Sequence, residues 1–162
     1  LGPATAVLAY SVYRQIAVLK RHFIPIMTGC LVGSLTSMLS AFLLCKAFGL
    51  DEAVTMSMLP KSVTTPIAMS LSEELGGITS VTVAVVIATG IMGSILAPTL
   101  IKVFHVKSPI AAGVAIGTCS HAIGTSRAMQ LGEIEGAMSG IAIGVSGLLT
   151  MILALLYHSM MM

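Results

Sequence analysis

Three apolar runs, Phe23 to Phe48, Ile78 to Phe104 and Gly136 to Tyr157, are each long enough to cross a bilayer as a helix, which takes roughly 20 residues. Such runs leave little choice of fold. In hydrocarbon every backbone N–H and C=O must be paired internally, and a helix does this within one segment. A soluble alternative fails on composition: 56% hydrophobic residues, 9% charged residues and a mean hydropathy of +1.03 leave too little polar surface to clothe a core. The sequence therefore predicts an all-α integral membrane protein. Within the runs, Gly29-x-x-x-Gly33 and Gly140-x-x-x-Gly144 predict close approach of helix backbones, with Ser37 as a further small packing residue.

Between the long runs lie two shorter, interrupted ones. Ala53 to Leu59 is apolar, Pro60 to Pro66 breaks the pattern, and helical character resumes from Ile67 to Leu75. The second runs from Ile110 to Ile116, breaks over Gly117 to Thr125, and resumes from Ser126 to Leu131. Each uninterrupted piece is about 10 to 15 Å long at 1.5 Å per residue, too short to cross alone. Two broken or re-entrant helical segments are expected. They are related in sequence: Thr65 to Gly76 recurs sixty residues later as Thr125 to Gly136, with Thr, Ala, Met, Leu, Glu and Gly matched in place. This predicts one membrane domain over residues 1–162, with repeat units at about 51–104 and 109–158.

Flanking charges suggest an orientation. Lys20 and Arg21 precede the first span, and Lys102 and Lys107 follow the second, so the positive-inside tendency puts those ends in the cytoplasm. Asp51, Glu52, Glu73 and Glu74 then bracket the first broken segment on the far side. That segment would dip in and return, and the second would dip from the cytoplasmic side, giving an inverted-type repeat. A version in which the broken segments cross fully stays open, because acids carry little topological weight.

An unwound backbone survives at depth only when packed in protein or lining a wet cavity. Thr65 before Pro66 would cap one half-helix, and Thr125 before Ser126 the other. Two helix N-termini facing each other favour an anion, and Lys61, His121 and Arg127 would add positive charge. The substrate-binding candidates are therefore Lys61, Ser62, Thr64, Thr65, Ser120, His121, Gly124, Thr125 and Arg127, with a small carboxylate as ligand. Each has a plainer alternative. Hydroxyls at Ser62, Thr64, Ser120 and Ser126 would serve loose backbone groups, Lys61 and Arg127 would snorkel to an interface, and His121 would only hydrogen-bond. Glu73 and Glu133, read as near helix C-termini, are expected at a solvated interface.

Cys30, Cys45 and Cys119 have no metal-type spacing and read as small buried hydrophobes. No catalytic residue, metal or cofactor is expected, since no nucleophile–base pair or nucleotide loop is evident. Eight basic against six acidic residues give no reason to propose nucleic acid. Leu1 to Thr5 does not read as a signal peptide, and Gly2-Pro3 followed by Ala4 to Ile16 looks like a helix with an upstream transmembrane segment omitted. So few helices enclose a site poorly, which predicts a homo-oligomer in the bilayer.

The run Leu1 to Thr5, the block Leu59 to Ala68, and Ser120 to Thr125 followed by Glu133-x-Glu135-Gly136 resemble the LrgB/CidB family over essentially the whole chain. The resemblance implies an antiholin-like or holin-like protein affecting murein hydrolase activity and autolysis. A similar domain in the plastidial glycolate/glycerate translocator implies carboxylate transport. It also implies a possible membrane partner of the LrgA/CidA type, residence in a bacterial plasma membrane as a multi-pass protein, and the plastid inner envelope for plant relatives. The expected function is transport of small organic anions such as glycolate, glycerate, lactate or pyruvate by alternating access at the paired breaks. The alternative is an antiholin-like or holin-like component modulating murein hydrolase export or activity.

Overall fold

The computed structural model describes Tyr13 and residues 16–161. The Leu1 to Thr5 motif, and all of the Ala4 to Ile16 helix except Tyr13 and Ile16, lie outside the described residues. Among those residues the chain forms seven helices and no strand: α1 (Ile16–Arg21), α2 (Phe23–Ala47), α3 (Glu52–Met58), α4 (Thr65–Glu74), α5 (Thr79–Val103), α6 (Pro109–Leu131) and α7 (Glu133–Met161). Three are long and apolar enough to cross a membrane: Phe23–Ala47, Thr79–Val103 and Glu133–Tyr157. These are the three expected spans. Large apolar side chains such as Val32, Leu39, Ile95, Met92, Leu148 and Ile152 are exposed on them, as a lipid-facing surface requires.

The first interrupted stretch is a helical hairpin. Met56 and Leu59 at the end of α3 pack against Leu71 and Leu75 near the end of α4, so the two arms fold back on each other. Their polar groups are collected by α5. Thr82 Oγ1 lies 3.0 Å from the Ser57 carbonyl and 2.7 Å from Ser72 Oγ, and the Ile78 amide donates to Ser57 Oγ at 2.6 Å. Burying these groups is tolerable because they satisfy one another. Two tight turns bound the hairpin through Gly49 and Gly76, whose φ values of 67° and 75° suit a residue without Cβ.

The second stretch, α6, reverses at one residue. His121 has φ 41° and ψ −139°, and helix flanks it on both sides. A Cβ on Gly124 would lie 3.0 Å from Ile116 Cγ2, whereas eight residues of straight helix span about 12 Å. Ile116 and Ala128 also share a core with Ala97, and Pro109 and Leu131 line one small cavity. The arms 109–120 and 122–131 therefore lie side by side. The break expected over Gly117 to Thr125 contracts to His121, because a sharp reversal needs only one residue outside the helical region. The version in which the broken segments cross fully does not describe this chain.

Glycine packing is partly as expected. Gly29 and Gly33 face Val114 and Thr118 of α6, with a Cβ on Gly33 only 2.7 Å from Thr118 Cγ2. Gly144 by contrast has open space around it. On that side the close approach comes from Gly113 and Gly117, which abut the backbone of α7 at Glu135 and Ser139. Four basic residues collect at one end of the bundle, while Lys46 closes α2 at the other. Lys20 and Arg21 end α1, Lys102 lies in the last turn of α5, and Lys107 lines a cavity with Leu131 and Glu135. Glu73 and Glu133 are both exposed, but Glu133 opens α7 rather than closing a helix, so the dipole favours it there.

Candidate functional site

The tips of the two hairpins meet halfway along the spans. A cavity of about 460 Å³ is lined by Lys61 and Ser62 from the first tip, Cys119 and Ser120 from the second, Gly33, Thr36, Ser37 and Ser40 of α2, and Thr89 and Gly93 of α5. Position 36 lies near the middle of α2, and 89 to 93 near the middle of α5.

The first tip delivers a cation. After α3 ends, the turn is held by the Lys61 amide on the Met58 carbonyl at 3.3 Å and the Val63 amide on the Pro60 carbonyl at 3.3 Å. Pro60 is fully buried and cannot continue the helix, which leaves the Lys61 side chain free to enter the cavity. Lys61 Nζ donates to Ser37 Oγ at 3.1 Å and to Ser62 Oγ at 3.3 Å, and the two serine oxygens are 2.7 Å apart. No acidic residue lines the cavity: Asp51, Glu52, Glu73, Glu74, Glu133 and Glu135 all stand at helix ends. An ammonium neighboured by hydroxyls and the Cys119 thiol, with no carboxylate beside it, is an incomplete ion pair.

The second tip delivers Ser120. It is only 4% exposed, and its hydroxyl has no hydrogen-bond partner among the described residues. His121 turns the other way. Its Nε2 lies 2.9 Å from the Val86 carbonyl of α5, which can only accept, so Nε2 carries the hydrogen. Gly90 makes room for the ring, since a Cβ there would be 2.7 Å from His121 Cε1. Val86 also packs its side chain against Val63 and Ala68 of the first hairpin, so it touches both tips.

A family model for the LrgB-like family matches residues 1–160. The chain belongs to the LrgB-like family. It is 40% identical over 149 residues to the uncharacterised protein YxaC of Bacillus subtilis (strain 168), covering 92% of this chain and 65% of that protein. The antiholin-like protein LrgB of Bacillus cereus (strain B4264) is 41% identical over 152 residues, covering 94% of this chain and 66% of that protein, and its counterpart in Bacillus anthracis gives the same figures. The chain thus spans 65 to 66% of the length of these curated relatives. No solved structure matches it.

Of the nine residues expected to bind substrate, this LrgB-like chain brings Lys61, Ser62 and Ser120 into one cavity. The other six do not line it. Thr64, not Thr65, is the N-cap of α4, because the Ala68 amide closes the first turn on the Thr64 carbonyl at 2.9 Å; no side-chain cap forms. Thr125 is no cap either. It sits inside a helical arm, donating to the His121 carbonyl at 2.9 Å and lying 2.7 Å from Ser139 Oγ of α7. Two facing threonine-capped N-termini are therefore absent among the described residues, and the cavity presents side chains of the tips instead. Gly124 is buried between the hairpin arms. Arg127 is half-buried one turn from the end of α6 and donates to Gln130 Oε1 at 2.6 Å in an exposed hydrogen bond, in keeping with snorkelling. Cys119 is exposed, unlike Cys30 and Cys45, and so is not a buried hydrophobe.

The LrgB-like cavity also uses Gly33 and Ser37, which the sequence suggests as packing residues, and Thr36 and Ser40, for which it suggests no role. Gly33, Thr36, Ser37 and Ser40 are spaced i, i+3, i+4, i+7, which puts all four on one face of α2. A stripe of small polar residues along one face of an otherwise apolar span is the signal that marks them.

Proposed function

We propose that this chain forms the substrate-binding core of a membrane transporter for small organic anions, with monocarboxylates of the glycolate, glycerate, lactate or pyruvate type as substrates. The observation carrying this reading is the Lys61 ammonium, held by Ser37 and Ser62 in a cavity that no acidic residue lines. A carboxylate would complete the ion pair and accept from the hydroxyls of Ser62 and Ser120, contacts stronger than neutral hydrogen bonds. Broken elements meeting at mid-depth are the arrangement transporters use around a substrate. On this reading the units 51–104 and 109–158 are an inverted pair, each a hairpin followed by a span, and they move against each other to expose the cavity alternately. The protein would sit as a multi-pass component of a bacterial plasma membrane, self-associated or beside an LrgA/CidA-type partner.

The name antiholin-like protein LrgB, carried by the Bacillus cereus and Bacillus anthracis relatives, favours a second reading as an antiholin-like membrane protein, for which the family resemblance implies modulation of murein hydrolases. Uptake of labelled glycolate into proteoliposomes separates the two. Saturable uptake that Lys61→Ala abolishes in folded protein supports transport. Release of solutes without size selectivity, or no saturable uptake of any small carboxylate, overturns it in favour of the second reading.

A further inference from the structure

We propose that the Lys61 cavity continues into an apolar chamber, so that this chain accepts monocarboxylates carrying a short aliphatic tail. The inference rests on the carboxylate reading above and extends it to the other end of the ligand. A second cavity of about 460 Å³ lies between α5 and the first arm of α6. It shares Gly93, Cys119 and Ser120 with the Lys61 cavity, so the two volumes adjoin at the tip of the second hairpin, where Gly93 and Ser120 touch. Beyond that junction its walls are hydrocarbon, from Leu96, Ala97, Leu100, Ile101, Ala112 and Ile116. No charged residue lines it.

One end of the compartment therefore offers an ammonium and hydroxyls, and the other offers only apolar surface. A ligand using both ends carries one negative head and a hydrocarbon tail. A dicarboxylate would bury its second charge against leucine and alanine, with no partner to offset the desolvation. The Ser120 hydroxyl, nearly buried and unpartnered, stands at the junction, where it donates to the head group while the tail passes Cys119. Each methylene moved from water into such a chamber strengthens binding by about fourfold.

Cys119 supplies the readout. It is the exposed cysteine, Cys30 and Cys45 being buried, and it lines both cavities. The full chain in proteoliposomes is labelled with a maleimide in the presence of glycolate, acetate, butyrate or hexanoate, with hexanol as the uncharged control. The expected result is protection by glycolate and acetate, with the half-protecting concentration falling at least tenfold from acetate to hexanoate, and none by hexanol at matching concentrations. Leu96→Ser, with Leu100→Ser as a second variant, should lose the chain-length dependence and keep protection by acetate; both positions are exposed, so the fold tolerates the change. Equal protection by acetate and hexanoate would overturn the tail chamber while leaving the carboxylate site standing. Protection by hexanol as strong as by hexanoate would also overturn it, as would chain-length dependence confined to detergent, which assigns the chamber to a lipid acyl chain. No protection by any carboxylate would remove both readings together.

Discussion

Gly93 and Ser120 touch so closely that a Cβ on Gly93 would run into the Ser120 hydroxyl. The glycine thus sets how near the tip of the second hairpin comes to the middle of α5. Gly93→Ala must push that tip away, at a cost of about 1 to 3 kcal/mol for overpacking. Carboxylate uptake should fall at least tenfold, while the protein still elutes as a folded species from size-exclusion chromatography. Unchanged uptake would show that the tip position is unimportant to the site.

Lys61, Ser37 and Ser62 form one hydrogen-bonded unit. Replacing Lys61 by Gln removes a charged partner worth about 1.5 to 3 kcal/mol to a bound anion, so the KM for glycolate should rise roughly tenfold to a hundredfold. Ser37→Ala should have a smaller effect that disappears in the Lys61→Gln background, because the serine acts through the ammonium. Additive effects in that double-mutant cycle would separate the two residues.

His121 combines an unfavourable backbone conformation with a buried hydrogen bond to Val86. Glycine at 121 relieves backbone strain of about 1 to 3 kcal/mol but loses the bond, whereas valine loses the bond and keeps the strain. His121→Gly should therefore be more stable than His121→Val by about 1 to 3 kcal/mol in thermal unfolding. The reverse order would mean that His121 does not hold the reversal in place.

Gly117 and Gly144 look alike in sequence and differ in surroundings. A Cβ on Gly117 would overlap the Ser139 carbonyl and sit 2.9 Å from Ala142 Cβ, while one on Gly144 would meet nothing within 4 Å. Gly117→Ala should destabilise the α6–α7 contact by about 1 to 3 kcal/mol. Gly144→Ala should be neutral or stabilising by up to about 1 kcal/mol, since alanine is the better helix residue. Thermal midpoints of the two variants, compared side by side, give the answer.

The spans were legible because lipid imposes a length and an apolar run reports it directly. Pro60 and Pro66 likewise announced the first break, since proline acts on its own backbone. The second break was drawn too wide. Glycines and hydroxyls from Gly117 to Thr125 read as unwinding, but Gly117 serves contact with α7, and Thr125 is satisfied by the His121 carbonyl and Ser139. Local sequence does not say which neighbour a small residue meets. For the same reason Lys61, Ser62 and Ser120 are legible at the breaks, while Ser37 reads only as a packing residue and Thr89 carries no signal until the tips pack against those spans.

Val86 meets the first hairpin with its side chain and the second with its carbonyl oxygen. The two tips are thus geared to one another through a single residue of α5. A displacement of either one is felt by the other without any relay through the bundle. On the proposed transport reading, entrances linked in this way would not be independent doors: loosening the barrier facing one side of the membrane would alter the seal facing the opposite side in the same movement.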